Sequence, residues 1–212
     1  MQSTKHPFGG IKAAIAELGN PERVWFRGHV REHHLLPSLF RFPEGAENEQ
    51  RIFNRFNHQA YGVRAKPPCC RLEALLAMHY SYVPTRLLAW TESLRVALFC
   101  ALVRESDQST IFVLDPVALN AVSNVLGIVR LGSKVLEDFG LSSWPNELSL
   151  PDAPIAIDVR SRCGNFPETE TVYTMHGRAK FPLEQQCAHC VRKVVLTEEE
   201  RSLAMASVLN GD

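Results

Sequence analysis

Leu94, Val96, Ala97, Leu98, Phe99, Cys100, Ala101 and Leu102 follow one another with Arg95 as the single charge among them. As a helix, Leu94 to Val103 is apolar on nearly every side, and a helix of that kind belongs in a core that covers it all round. The chain has material for such a core, since 45% of its 212 residues are hydrophobic and 22% charged. Thr91 or Ser93 is placed to cap this helix. Thr85, Arg86 and Thr91 stand at the edge of the buried element, where polar groups need partners or a ligand.

Around that helix the chain alternates helical and extended patterns. Ile11, Ala14, Ile15 and Leu18 recur at helical spacing until Gly19-Asn20-Pro21 stops them. Arg23 to Arg27 alternates as a half-buried strand does. His29 to Pro43 reads as an irregular, ordered segment. Helices are expected from Glu47 to Tyr61, with Ile52, Phe53, Phe56 and Ala60 on one face, and through Leu72, Leu75, Leu76 and His79. Ile111 to Leu114 is a buried strand, Val117 to Gly127 a helix, and Gly140 to Pro154 a surface connection. Ile155 to Val159, Thr169 to Met175 and Val191 to Leu196 read as strands, and Thr197 with Glu200 forms a capping box for the last helix. Without a strict strand–helix–strand rhythm, this pattern predicts an α+β fold: a single domain with a mixed sheet and a buried central helix. Residues 1–21 form an N-terminal tail and helix, and residues 22–212 the domain.

Charge narrows the function. Twenty-three basic and 23 acidic residues balance to zero, so no global attraction to nucleic acid or membrane is expected. A local basic patch stays open, since Arg23, Arg27, Arg31, Arg41, Arg51 and Arg55 crowd the first quarter. The N-terminus lacks the apolar run of a signal peptide and no stretch reaches membrane-spanning length, so a cytoplasmic protein is expected, with its six cysteines as thiols.

Trp25-Phe26-Arg27-Gly28-His29 carries the most chemistry. A guanidinium where a strand runs out can enter a cleft, and Gly28 beside it lets the backbone turn and a ligand approach the main chain. The plain alternative is a surface arginine paired with a carboxylate. His79, on a face with leucines, reads either as a hydrogen-bonded core histidine or as a site residue. His33-His34 makes a metal site only if carboxylates or thiols join it, and Cys187-Ala188-His189-Cys190 is half of a zinc knuckle. Completing the knuckle takes two ligands from Cys69, Cys70, Cys163 or His176, so no metal is expected. No nucleophile elbow or Gly-rich phosphate loop is present.

Phe26-Arg27-Gly28, Leu35-Leu36-Pro37-Ser38-Leu39, the block from Pro84 to Ser93 leading into Val96-Ala97-Leu98-Phe99, and the strand from Val191 to Leu196 together resemble the FRG domain, named for its own Phe-Arg-Gly. The resemblance runs over most of the chain from about residue 22. Two departures stand out: Ala89 occupies a position where the family usually has aspartate, and His79-Tyr80 lies farther from Pro84 than the family's His-Tyr pair, which implies a one-residue insertion or Tyr80 in the histidine's slot. A more distant similarity is to the three-part site of ADP-ribosyltransferases. That similarity implies that Phe26, Arg27, Gly28, Thr85, Arg86 and Thr91 bind NAD, the substrate, with Glu168, Glu170 and His79 as catalytic residues. Glu168-Thr169-Glu170 at a strand start puts both carboxylates on one face, where one can stabilise the oxocarbenium-like charge left when nicotinamide departs; a solvated strand entrance is the other reading. The function so implied is NAD-dependent ADP-ribosyl transfer to a macromolecular target, as a toxin or defence effector, with an antitoxin or regulatory protein as partner and no membrane. The alternative is a non-catalytic module that binds a nucleotide or protein in the same cleft.

Overall fold

The computed structural model describes residues 8–61, 68–142, 148–160 and 170–210. The N-terminal helix α1 (Gly9–Glu17) buries Ile11 and Ala14 and gives way at Gly19, whose φ of 85° ends it as the Gly-Asn-Pro signal predicts. The first strand, β1, runs Trp25–His29, two residues later than the alternation indicated. Beyond it come α2 (Ser38–Arg41), α3 (Glu49–Tyr61) and α4 (Arg71–Tyr80), then β2 (Leu87–Thr91), α5 (Leu94–Leu102) and β3 (Thr110–Leu114). The second half holds α6 (Pro116–Val122), β4 (Val129–Arg130), α7 (Lys134–Asp138), β5 (Ile155–Asp158), β6 (Thr171–Met175), α8 (Leu183–Gln186), β7 (Val191–Val195) and α9 (Glu198–Asn210).

The strands make one mixed sheet in the order β4-β5-β6-β2-β1-β3-β7, parallel between β4 and β5 and antiparallel elsewhere, so the fold is α+β. Alternation along each strand sorts the side chains between two faces. Phe26, Ile111 and Val113 meet Ala97, Leu98 and Ala101 of α5, with Ile11 of α1 and Ala204 of α9. Leu87, Tyr173, Met175, Ile155 and Ile157 meet Leu72, Leu75 and Met78 of α4 and Phe53 of α3. On the opposite face Trp25, Leu88, Trp90, Phe112, Leu114 and Val172 form a third cluster with Leu183, Cys187 and Cys190. At the centre, β1 and β2 register at one pair, Phe26 with Thr91. By contrast β1 registers with β3, and β2 with β6, over five residues each. The sheet therefore has a seam between β1 and β2, where ladder pairing stops beyond Phe26.

Helix α5 packs on the strands that hold Phe26 and Ile111, as expected, but it is not buried all round. Ala97, Leu98, Ala101 and Leu102 are covered, whereas Val96 is 42% and Phe99 55% exposed. The helix lies on one face of the sheet beside α9, so a single side of it is roofed. Its cap is Ser93, whose Oγ accepts from Val96 N at 3.4 Å, while Thr91 Oγ1 accepts from Ser93 N at 3.0 Å. The Thr197–Glu200 capping box is present, with both reciprocal bonds formed. The expected surface connection from Gly140 to Pro154 in part belongs to the core: Leu141 and Leu150 are buried, and the Leu141 carbonyl accepts from Leu72 N at 3.1 Å. No helix among the described residues is long and apolar enough to cross a membrane.

Candidate functional site

Arg27 stands at the seam. Its Nε donates to His29 Nε2 at 2.8 Å and its Nη1 to the Ala89 carbonyl of the facing strand at 2.5 Å. Neither acceptor is a carboxylate, so the charge is held inward with no anionic contact among the described residues. Burial first, and Arg41 second, bring the guanidinium down to about 10, which leaves it protonated at neutral pH. His29, two residues on, shares its face of the strand. Its ring meets Phe112 edge-on at 5.2 Å and lies 6.3 Å from His33. Burial, then Arg27, His33 and Arg41, hold it neutral, at about 3, against the opposing pull of the His33 backbone.

The β2 side of the seam carries a second group. Ala89 registers with Tyr173, whose hydroxyl lies 3.3 Å from that of Tyr80. His79, half-buried in the last turn of α4, packs edge-on to Tyr173 with centroids 5.3 Å apart. Burial and then Arg27 lower its pKa, so the ring is a neutral acceptor or donor close to the arginine. The arrangement presents a guanidinium, a second arginine within electrostatic reach, a neutral imidazole and the 43% exposed Tyr80. Such a set offers donors to an anion and rings to an aromatic group.

The other expected site residues lie elsewhere. Phe26 is in the α5-side core, on the face opposite Arg27. The open side of Gly28 is filled by α5, for a β-carbon there would overlap the Ala97 carbonyl oxygen and sit 2.8 Å from Ala101 N. Thr85 is buried, and its Oγ1 accepts from Leu87 N at 3.4 Å. Arg86 is fully engaged: Nε and Nη2 donate to Glu49, and Nη1 to the carbonyls of His176 and Gly177 at 2.8 and 2.7 Å. Thr91 closes the far end of β2, and exposed Glu170 precedes β6 at that same end, since Thr171 registers with Thr91. Glu168 lies outside the described residues. The structure thus brings His79 to Arg27 and sets Thr85, Arg86, Thr91 and Glu170 at the two ends of β2. His29 and Arg41 join the arginine, and Tyr80 and Tyr173 join His79, unannounced; of these, His29 was within reach of the period-two rule.

The candidate metal residues are accounted for by packing and pairing. His34 Nδ1 lies 2.7 Å from Glu184, whose other oxygen accepts from Leu35 N at 3.1 Å. Cys187 and Cys190 are buried in the apolar cluster that holds Trp25, and burial pushes both thiols up, Cys190 to about 12. Exposed Cys69 is pushed up to about 12 beside Glu73, and Cys100 is exposed on α5. In a thiol titration with mass mapping, Cys100 is expected to label in the native protein, and Cys187 and Cys190 only after unfolding without reductant. Native labelling of Cys187, or stoichiometric zinc by elemental analysis, contradicts that.

No curated protein and no solved structure matches this chain. A family model does, over residues 22–110, a span from just before β1 to the first residue of β3 that holds Arg27, His29, His79 and Ala89. The family model that matches across the Phe-Arg-Gly strand and its seam, over residues 22–110, is that of the FRG domain.

Proposed function

We propose that the FRG domain binds the diphosphate of NAD at Arg27 and transfers ADP-ribose from it to a macromolecular target, in the cytoplasm and as a toxin or defence effector. The observation that supports it is a buried guanidinium at the seam, with no carboxylate contact among the described residues and a second arginine within electrostatic reach. A cation so placed gains its counter-charge from a ligand. On this reading His79, within electrostatic reach of Arg27, contacts the nicotinamide riboside half, and an antitoxin or regulatory protein acts by covering the seam. A specific observation favours a second reading, a non-catalytic nucleotide-binding module: Ala89 supplies no carboxylate, and Glu170 is exposed at the end of the sheet.

Calorimetry with NAD tests binding. Arg27→Ala removes charge-assisted hydrogen bonds worth roughly 1.5–3 kcal/mol, so affinity is expected to fall about ten- to a hundredfold. Lysine, without the planar fork, is expected to restore only part of it. Nicotinamide release tests chemistry: Glu168→Gln or Glu170→Gln should leave binding nearly intact and slow turnover far more, because the carboxylate acts mainly in the transition state. Arg27-dependent binding with no turnover in the native protein selects the binding module. Binding unaffected by Arg27→Ala removes both readings.

A further inference from the structure

We propose that His29 is a positioning residue that aims the Arg27 guanidinium into the seam. The inference rests on the reading of Arg27 as the anion site and adds what holds it there. A long arginine side chain has several rotatable bonds, and directing its fork at one place takes at least two fixed contacts. The Ala89 carbonyl supplies one of them and His29 Nε2 the other. Because Nε and Nη1 are so engaged, the Nη1–Nη2 end of the fork is the part left to meet an anion.

The contact dictates the state of the histidine. To accept from Nε–H, Nε2 must carry no proton, which places the ring hydrogen on Nδ1. That nitrogen is buried and has no partner in hydrogen-bond geometry among the described residues, although the His33 backbone is close enough to favour a proton there. The groups around the ring are Arg27 on its own strand, Phe112 on β3, His33 on the following loop and Arg41 on α2. None is a carboxylate, and two are arginines. A protonated ring would lose its acceptor and face like charge, so the environment and the hydrogen bond select the same neutral form. The Arg-Gly-His spacing makes this possible: residues two apart on a strand share a face, and the intervening glycine turns its bare side to α5.

Two variants separate positioning from packing. In His29→Gln the amide oxygen can accept from Nε, whereas in His29→Phe the ring volume is kept and the acceptor lost. NAD and inorganic pyrophosphate titrated by calorimetry into the native protein, both variants and Arg27→Ala should give near-native affinity for His29→Gln, within about threefold. For His29→Phe a loss of about tenfold is expected, the equivalent of one charge-assisted hydrogen bond. In ¹⁵N-edited spectra without ligand, the Arg27 Nε–H should be protected from exchange in the native protein and in His29→Gln, and unprotected in His29→Phe. Imidazole ¹⁵N shifts need no substitution and should show Nδ1 protonated and Nε2 bare from about pH 5.5 to 8. A charged ring in that range, the reverse tautomer, or native affinity in His29→Phe beside lost affinity in Arg27→Ala overturns the proposal. If Arg27→Ala itself binds normally, the anion site fails, and the Nε–H protection still decides whether His29 holds the arginine.

Discussion

Gly28→Ala is expected to lower the melting temperature by several degrees, because the missing β-carbon is what lets α5 lie against the central strand. The added atom would overlap the Ala97 carbonyl oxygen and approach Ala101 N at 2.8 Å, and both belong to a helix backbone, which has no rotamer to yield. The helix has to lift from β1, disturbing its contacts with Phe26, Ile111 and Val113. Overpacking typically costs ~1–3 kcal/mol, and a clash with main chain belongs at or above the upper end. For a chain of this size, each kcal/mol moves the midpoint by about 2–4 °C, so a fall of about 6–12 °C is expected by calorimetry. The competing explanation of the glycine, close approach of a ligand to the main chain, makes the opposite forecast: an unchanged midpoint with lost nucleotide affinity. That outcome would show that α5 does not hold this position in solution.

The same glycine shows where sequence reading works and where it stops. That Gly28 lacks a side chain for a reason was legible, but the neighbour it makes room for is a helix nearly 70 residues away, and no local pattern encodes that. The strand ahead of it was read two residues early, since Arg23 and Val24 extend the alternation past the point where pairing with β3 begins. Helices α3 and α4 were visible from their periodic apolar faces. In contrast β2 is buried on both faces along most of its length, which erases the period of two that announces a strand. The roof over α5 was misjudged for a related reason: composition counts apolar residues and does not say which will find cover, and Phe99 did not. Within the site, Arg27 and His79 were found one at a time, from a strand end and from a helix face. Their meeting depends on the seam between β1 and β2, a property of the whole sheet. Arg86 looked equally promising by type and position, and its tertiary contacts with Glu49, His176 and Gly177 could not be read from either.

Arg86→Ala is expected to cost more than any surface charge in the protein, about 3–5 kcal/mol, as removal of one partner from a buried ion pair does. The guanidinium joins three parts of the chain: Glu49 at the start of α3, the entry to β2, and the carbonyls of His176 and Gly177 beyond β6. Phe40 covers its face with the ring centroid 5.6 Å from Cζ. Deleting it strands the Glu49 carboxylate and two carbonyls in a region where His176 is already wholly buried, its ring nitrogens without hydrogen-bond partners among the described residues. His176 gives this region a pH dependence of its own. Burial, and then Arg86, depress its pKa to about 3, so between the usual histidine value of about 6.5 and that point the unfolded chain binds the proton and the folded chain does not. The stability due to this ring is complete above that window and is lost as pH falls through it. Denaturant unfolding at neutral pH should therefore show the full loss in Arg86→Ala. The double variant Arg86→Met with Glu49→Leu, which removes both charges and keeps apolar volume, should recover much of it. If Arg86 instead serves as a ligand residue, Arg86→Ala will unfold at the native denaturant concentration and lose nucleotide binding, and the clamp between α3, β2 and β6 will have been assigned the wrong role.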